Sequence, residues 1–299
     1  FLNISELVDE NYEIYTSEGE DGKFRIRLFC VNPASNLQEC LNKGKSTVFF
    51  SATLLPMQYY RKLLSTREDH YGIYVRSPFD PEKRCILTCV DVSSRYTRRG
   101  YEEYRRIAEY IARMAWQKKG NYMVFFPSYK LLEDVKQVYE QEFAADWVTC
   151  VCQTPSMNER DREEFLETTL LGFCIMGGIF SEGIDLMGDR LIGAAIVGTG
   201  LPQVNTEREV LKKHYDRLGE NGFDYAYRFP GMNKVLQAAG RVIRTKEDVG
   251  CILLMDERFR STEYRSLFPE EWNDMHICRM GNVESILKDF WKRNVLDIQ

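Results

Sequence analysis

The sequence predicts an α/β fold, a parallel sheet with helices on both faces, and three observations lead there. From residue 84 onward most apolar, β-branched or aromatic runs are followed by a stretch of helical periodicity. Several of those runs are apolar throughout rather than alternating, as strands covered on both faces must be. The composition, 44% hydrophobic and 28% charged over 299 residues, is that of an ordinary soluble globular chain with room for one large or two medium domains.

Taken in order, the strand-forming runs are FRIRLFCV (24–31), STVFFSA (46–52), RCILTCVDV (84–92), NYMVFFP (121–127), DWVTCVCQ (146–153), GFCIMGG (172–178), LIGAAIVG (191–198) and GCILLMD (250–256). The polar stretch SEGEDGKF (17–24) reads as a hairpin turn or loop. Helical periodicity covers 56–65, 100–118, 130–142, 158–170, 205–218, 231–245 and 283–297. In sheets of this kind ligands bind beyond the carboxyl ends of the strands, so the residues that follow each strand carry the functional information.

The net charge of −5 argues against a generally basic nucleic-acid coat, though it leaves room for a local positive groove. No apolar run approaches the ~18 to 20 residues of a membrane span. No signal-peptide pattern opens the chain, and the first residue, Phe1, suggests a segment of a longer protein. Nine cysteines are scattered through apolar runs with no paired CxxC set, which reads as buried reduced thiols and a cytoplasmic location, bacterial cytosol or nucleoid, rather than a metal site. The three histidines, His70, His214 and His276, have no partner pattern.

Two stretches imitate nucleotide sites. GKS (44–46) matches the end of a phosphate-binding loop, but Glu39 stands where its first glycine belongs, and the stretch precedes a strand instead of opening a helix. CILLMDERF ends an apolar strand in Asp256 and Glu257 like a Mg²⁺-holding pair, yet no phosphate loop comes before it, which favours a structural role at the strand end.

Four stretches carry more. SAT (51–53) ends one apolar run. PSY (127–129) places Ser128 at a helix N-terminus, where a hydroxyl and free amides can hold a phosphate, although a plain N-cap also explains it. In GGIFSEGID (177–185), Gly177 and Gly178 let the backbone approach a ligand closely, and Asp185, following Gly183, could accept hydrogen bonds from a ribose. QAAGRVIR (237–244) sets Gln237, Arg241 and Arg244 at spacings of four and three. On a continuous helix these would share one donor-only face, extended by Lys234, against an apolar stripe of Met232, Val235, Leu236, Ala239, Val242 and Ile243. Arginine suits phosphate because its planar fork binds two oxygens at once. A further patch, RYTRRGYEEYRR (95–106), interleaves basic residues with tyrosines and reads equally as a single-strand channel or as the exposed start of an amphipathic helix, with Arg98 and Arg99 its best candidates.

SATL, VFFPSY, SEGIDL and QAAGRVIR, in that order, resemble motifs III, IV, V and VI of superfamily 2 helicases of the DinG/XPD type, and GLPQVNTEREVLKKHYDRL and DERF resemble the segments around motif VI. The similarity covers roughly residues 24 to 260. It implies an ATP-dependent DNA helicase of the repair or replication kind, with two RecA-like domains, ATP and Mg²⁺ in the cleft between them and single-stranded DNA running across both. The phosphate loop, the DEAH box and the iron–sulfur domain of many members belong to a part that this sequence does not show. Residues 1–66 would then be the tail of the first RecA-like domain through the SATL motif, and residues 67–299 the second RecA-like domain.

By the same resemblance, Arg241 and Arg244 would be arginine fingers, Gln237 a γ-phosphate sensor, and Gly183 and Asp185 nucleotide-facing. Ser128, Tyr129, Gly177 and Gly178 would hold the DNA backbone. The implied partners are single-stranded DNA, ATP and the first RecA-like domain of the same protein, with no membrane. Two alternatives stay open: a degenerate RecA-like module that binds partners without catalysis, and a helicase acting on RNA.

Overall fold

Strands apolar on both sides of the pleat need cover on both faces, and the central sheet meets that need. The computed structural model describes residues 6, 8–19, 21–154, 171–178 and 191–295. Among them are nine strands, β1 (Tyr12–Glu18), β2 (Phe24–Cys30), β3 (Arg84–Cys89), β4 (Tyr122–Phe126), β5 (Cys150–Cys152), β6 (Leu171–Ile175), β7 (Gly193–Val197), β8 (Gly250–Met255) and β9 (His276–Cys278). Seven form one sheet in the order β5-β6-β4-β7-β8-β3-β9, and every neighbouring pair is parallel. The main helices are α1 (Ala34–Leu41), α2 (Met57–Leu64), α3 (Tyr101–Ala115), α4 (Tyr129–Glu142), α5 (Thr206–Arg217), α6 (Phe229–Ala239) and α7 (Val283–Val295).

The chain divides into two compact units, residues 1–75 with 203–230, and residues 76–202 with 231–299. In the larger unit Leu87, Val124, Phe126, Phe173, Ala195 and Leu253 turn one face of the sheet towards Ile107 and Ile111 of α3, Leu132 and Val135 of α4, and Leu287 and Phe290 of α7. Their alternates along the strands, Ile86, Phe125, Cys174, Ile196 and Leu254, are just as deeply buried. This explains why the runs read as unbroken hydrophobic stretches.

In the smaller unit β1 and β2 form an antiparallel hairpin in which Tyr12 faces Cys30 and Glu18 faces Phe24. Its turn falls inside the expected 17–24 loop, with Gly22 supplying the left-handed backbone (φ 69°) that a side chain would oppose. The hairpin is tied to α5 through Glu207, which accepts from the Tyr15 hydroxyl (2.8 Å) and pairs with Arg27 (3.0 Å). An aromatic cluster joins α2 to the segment after α5, with Tyr215 stacked on Tyr225 at 3.8 Å and Tyr59 edge-on to Tyr225 at 5.3 Å.

Three expectations need correction. STVFFSA (46–52) forms no strand: strand hydrogen bonds need a neighbouring strand, none pairs with it in this unit, and Val48 (80% exposed) and Phe50 (89%) stand in solvent. The helix expected over 231–245 ends at Ala239, because Gly240 weakens it and Asp248 captures the amides of Arg244 and Thr245 (2.7 Å each). Arg241 and Arg244 therefore follow the helix and do not continue its face. Strands β1 and β9 and the helix α1 were not anticipated; β9 is a three-residue edge strand with Ile277 53% exposed, too short and too wet to leave a pattern. The helix expected at 158–170 lies outside the described residues.

Phe173 stacks on Phe126 (6.0 Å between ring centroids) and meets Tyr139 edge-on (5.7 Å) at the centre of the larger unit. Phe173→Ala should cost about 3–5 kcal/mol of unfolding free energy in denaturant titration, the usual cost of removing a fully buried aromatic ring. A loss below about 1 kcal/mol would show that this face of the sheet is not the core.

Candidate functional site

A parallel sheet delivers all its strand exits to one edge. That edge carries Val90–Ser94 after β3, Pro127–Tyr129 after β4, Gln153 after β5, Met176–Gly178 after β6, Gly198–Leu201 after β7 and Asp256–Arg258 after β8. PSY, Gly177 and Gly178, the RYTRR turn and DERF lie here, whereas SAT (51–53) belongs to the smaller unit and the turn that ends QAAGRVIR lies at the entry to β8, where a Cβ on Gly250 would meet Val242.

The exits of β4, β5 and β6 are bolted together. Ser128 caps α4, its Oγ accepting from the Leu131 amide at 3.4 Å, so the capping role holds. The Met176 amide donates to the Phe126 carbonyl (2.8 Å), joining the β6 exit to the end of β4. Gln153, which the sequence reading passed over, is 4% exposed; its Oε1 accepts from the Ile175 amide (3.0 Å) and its Nε2 donates to the Tyr129 hydroxyl (3.4 Å). Its only sequence signal is an amide side chain directly after an apolar strand.

Gly177 has a left-handed backbone (φ 72°), and a Cβ there would stand 3.2 Å from Lys234 Cε. A Cβ on Gly178 would stand 2.9 Å from Gln153 Nε2. Ser128, Tyr129, Gly177 and Gly178 are thus gathered at one place, with Gln153 beneath them and Lys234 alongside. Gly183 and Asp185 lie outside the described residues.

After β7 the chain runs through Gly198 (φ 85°) and Gly200 (φ 66°). A Cβ on Gly200 would sit 2.5 Å from the Gly231 carbonyl oxygen, and one on Gly231 would sit 2.7 Å from that of Thr199. Only paired glycines let the loop lie this close to the start of α6, which aims the rest of that helix.

Gln237 is half-buried on α6. Arg241 follows in the turn, 8% exposed, and Arg244 beyond it is exposed. The turn is held by Val242 in the core (1% exposed) and by Asp248, itself 4% exposed, which accepts the two amides described above. The guanidinium-bearing backbone is therefore fixed before any ligand arrives.

The β3 exit is held by three carboxylates. Asp256, fully buried, accepts from the Ser94 amide (2.9 Å), the Ser94 hydroxyl (2.8 Å), and the Arg258 amide (3.0 Å) and Nε (2.8 Å). Burial pushes its carboxyl up, but the Arg258 hydrogen bond and charge and the Ser94 amide outweigh that and hold it below its ordinary value. This is the structural role expected of the strand-end acid. Glu103 accepts from the Ser93 amide (2.6 Å) and pairs with Arg98 (3.1 Å); Glu257 pairs with Arg95 and Arg98 (3.7 Å each). Arg98 is therefore engaged with acids of its own unit, while the Arg99 guanidinium lies over the Tyr96 ring, 5.6 Å from its centroid.

The buried thiols of the sheet are held in their neutral form. Burial pushes Cys85 up to about 12 and Cys89, Cys174 and Cys251 well above their ordinary value, so no thiolate forms there near neutrality. Among the described residues no helix is long and apolar enough to cross a membrane.

The fold is RecA-like, and residues 111–275, more than half of the chain, match the family described as "Helicase C-terminal domain", to which the chain belongs. Its curated relatives include a Regulator of telomere elongation helicase 1 homolog from Aedes aegypti, 27% identical over 285 residues that cover 84% of this chain and 27% of the relative. They also include the ATP-dependent DNA helicase XPD of Sulfolobus acidocaldarius, 26% identical over 254 residues that cover 80% of this chain and 44% of the relative. The chain spans less than half the length of either. An apo XPD structure shares the fold, with a TM-score of 0.67, 19% identity, and coverage of 93% of this chain and 56% of the other. The DinG/XPD resemblance read from the motifs is borne out at the level of family and fold.

Two outcomes follow from this geometry. Gln153→Ala should leave the sheet folded yet loosen the Tyr129 and Ile175–Gly178 loops, seen as at least about tenfold faster amide exchange at Ile175 and Gly178, since a bond of roughly 1.5 kcal/mol is lost; unchanged exchange would mean that Gln153 does not hold the two loops. Asp256, held below its ordinary value, stabilises the fold above the unfolded carboxyl pKa of about 3.9, and that contribution is lost as pH falls through the lower folded value. The stability gap between the wild type and Asp256→Asn should therefore be widest near pH 7, on the order of 3 kcal/mol, and close in acid. A gap independent of pH would contradict the ion-pair assignment.

Proposed function

We propose that this chain is the second RecA-like motor domain of an ATP-dependent DNA helicase that translocates on single-stranded DNA and unwinds duplex in repair or replication. The observation that carries the reading is the turn after α6: two arginines, Arg241 8% exposed, on a backbone fixed by Asp248 at the entry to β8, in a sheet of helicase architecture. The motif order and the two named relatives support it.

Residues 1–66 would be the end of the first RecA-like domain. The exposed apolar side chains of Val48 and Phe50 fit a strand whose neighbours lie in that domain. Residues 67–299 would form the second domain.

In this reading ATP with Mg²⁺ supplies the phosphoryl group whose transfer drives the motor, and most of its cradle belongs to the first domain. This chain contributes donors: Arg241 and Arg244 as arginine fingers, which stabilise charge building up on the transferring phosphoryl group, and Gln237 as the residue that senses the γ-phosphate. Gly183 and Asp185 would face the nucleotide. Any iron–sulfur cluster would belong to the first domain. Ser128, Tyr129, Gly177 and Gly178 would hold the DNA backbone through amides and hydroxyls, contacts that fix position without reading sequence. Arg98 and Arg99 would extend the DNA-binding surface at the turn after β3, Arg98 by fixing the turn through Glu103 and Glu257 and Arg99 from behind the Tyr96 ring.

In the complete protein, Arg241→Ala should lower DNA-stimulated ATPase on the order of 10³-fold while ATP binding is retained, and the 299-residue chain alone should show no DNA-stimulated ATPase. An Arg241→Ala protein with full ATPase would point instead to a non-catalytic RecA-like module.

A further inference from the structure

Most large aromatic side chains of the larger unit are packed away, but Tyr96 is 84% exposed. It sits in a short helical turn, Tyr96–Arg98, directly after the β3 exit. An exposed ring on a loose loop would mean little. This turn is instead held from beneath at several points: the Ser93 amide on Glu103 (2.6 Å), the Ser94 amide and hydroxyl on Asp256 (2.9 and 2.8 Å), the Ser93 hydroxyl on Glu257 (3.2 Å), and Arg98 on Glu103 (3.1 Å). The ring is thus presented in one place, with the entropy of fixing it already spent on folding.

One face of the ring is covered by Arg99, 5.6 Å from the centroid, whose Nε is buried without a hydrogen-bond partner. Given the ring's exposure, its other face is open. A flat π surface backed by a cation and open on the far side fits a second flat π system. The charge around it is largely cancelled, since Arg95 and Arg98 pair with Glu257 and Glu103. A phosphate would gain little here, and an unpaired base would gain most.

The place on the sheet agrees. From β4, whose exit carries Ser128 and Tyr129, β3 lies three strands away along the order β4-β7-β8-β3. At about 4.8 Å per strand that is roughly 14 Å, a span of about four nucleotides of a stacked strand at 3.4 Å each. A strand whose backbone is held over β4 and β6 can therefore lay one of its next bases on Tyr96.

We propose that Tyr96 is a stacking platform for an unpaired nucleobase, with Arg99 behind it and with Asp256, Glu103 and Glu257 fixing the turn that presents it. The proposal rests on the reading of this chain as a nucleic-acid motor domain and adds the residue that receives the base. Duplex would not engage it, because its base faces are already stacked.

The test measures binding of the complete protein to an oligothymidylate and to an abasic strand of the same length. Tyr96→Ala should weaken oligothymidylate binding about tenfold, within the range of one base–aromatic stack. It should leave abasic-strand binding and the salt dependence of both unchanged. Tyr96→Trp should restore affinity and add indole fluorescence that the oligothymidylate quenches, which a merely structural role would not produce. Equal binding of oligothymidylate by wild type and Tyr96→Ala, alongside weakened binding by Gly177→Val, would overturn the platform while leaving the motor-domain reading in place. A wild-type protein that binds neither strand would overturn both.

Discussion

Everything at the candidate site depends on the strands of the larger sheet running the same way. Parallel strands cannot be joined by tight hairpins; each must be followed by a crossover that covers a face, and every strand exit then falls on one edge. Residues far apart in sequence, Ser94, Ser128, Gln153, Gly178, Gly198 and Asp256, meet along that edge for this reason alone. The buried cluster beneath them, from Leu87 on β3 to Phe173 on β6, gives the edge a rigid base, because close-packed interiors deform little.

Rigidity of the sheet does not by itself fix the loops above it. That is done by a repeated device, a buried side-chain oxygen that accepts main-chain amides of an exit loop. Asp256 holds Ser94, Glu103 holds Ser93 and Gln153 holds Ile175; the half-buried Asp91 holds Met280 (3.0 Å) in the same way, and at the other end of the sheet Asp248 holds Arg244 and Thr245 before β8. Each oxygen is more valuable buried than exposed, since competing water is excluded and hydrogen bonds to a charged acceptor are the stronger kind. The result is an edge whose backbone is set before any ligand binds, the arrangement that electrostatic stabilisation and strand positioning both require.

Much of this was legible in the sequence. Unbroken apolar runs such as RCILTC and YMVFF gave the buried strands, and the stretches that follow them gave the loops. The helix end at Gly240 was also legible, since a glycine near the end of a periodic stretch is a stop signal, yet the even spacing of Gln237, Arg241 and Arg244 masked it. What sequence could not show were contacts made across the fold. Gln153 matters through the Ile175 amide, far along the chain on β6, and it lies in no pattern that would mark it. STVFFSA has strand character without a strand partner, because pairing is a property of neighbours and not of the segment. Arg98 read as a free basic residue because the turn that brings it back onto Glu103, five residues on, and its second partner Glu257, far along the chain, are properties of the fold.

The carboxyl edge of the sheet is then the edge that bears nucleic acid. Amide hydrogen exchange of the protein with and without saturating oligothymidylate tests it most directly. Protection is expected at residues 93–99, 128–131 and 176–178, with no change at the opposite ends of the same strands, around Asn121, Ile192 and Val249. Protection at those amino-terminal ends, or none at the carboxyl edge in a protein that has bound the strand, would contradict it.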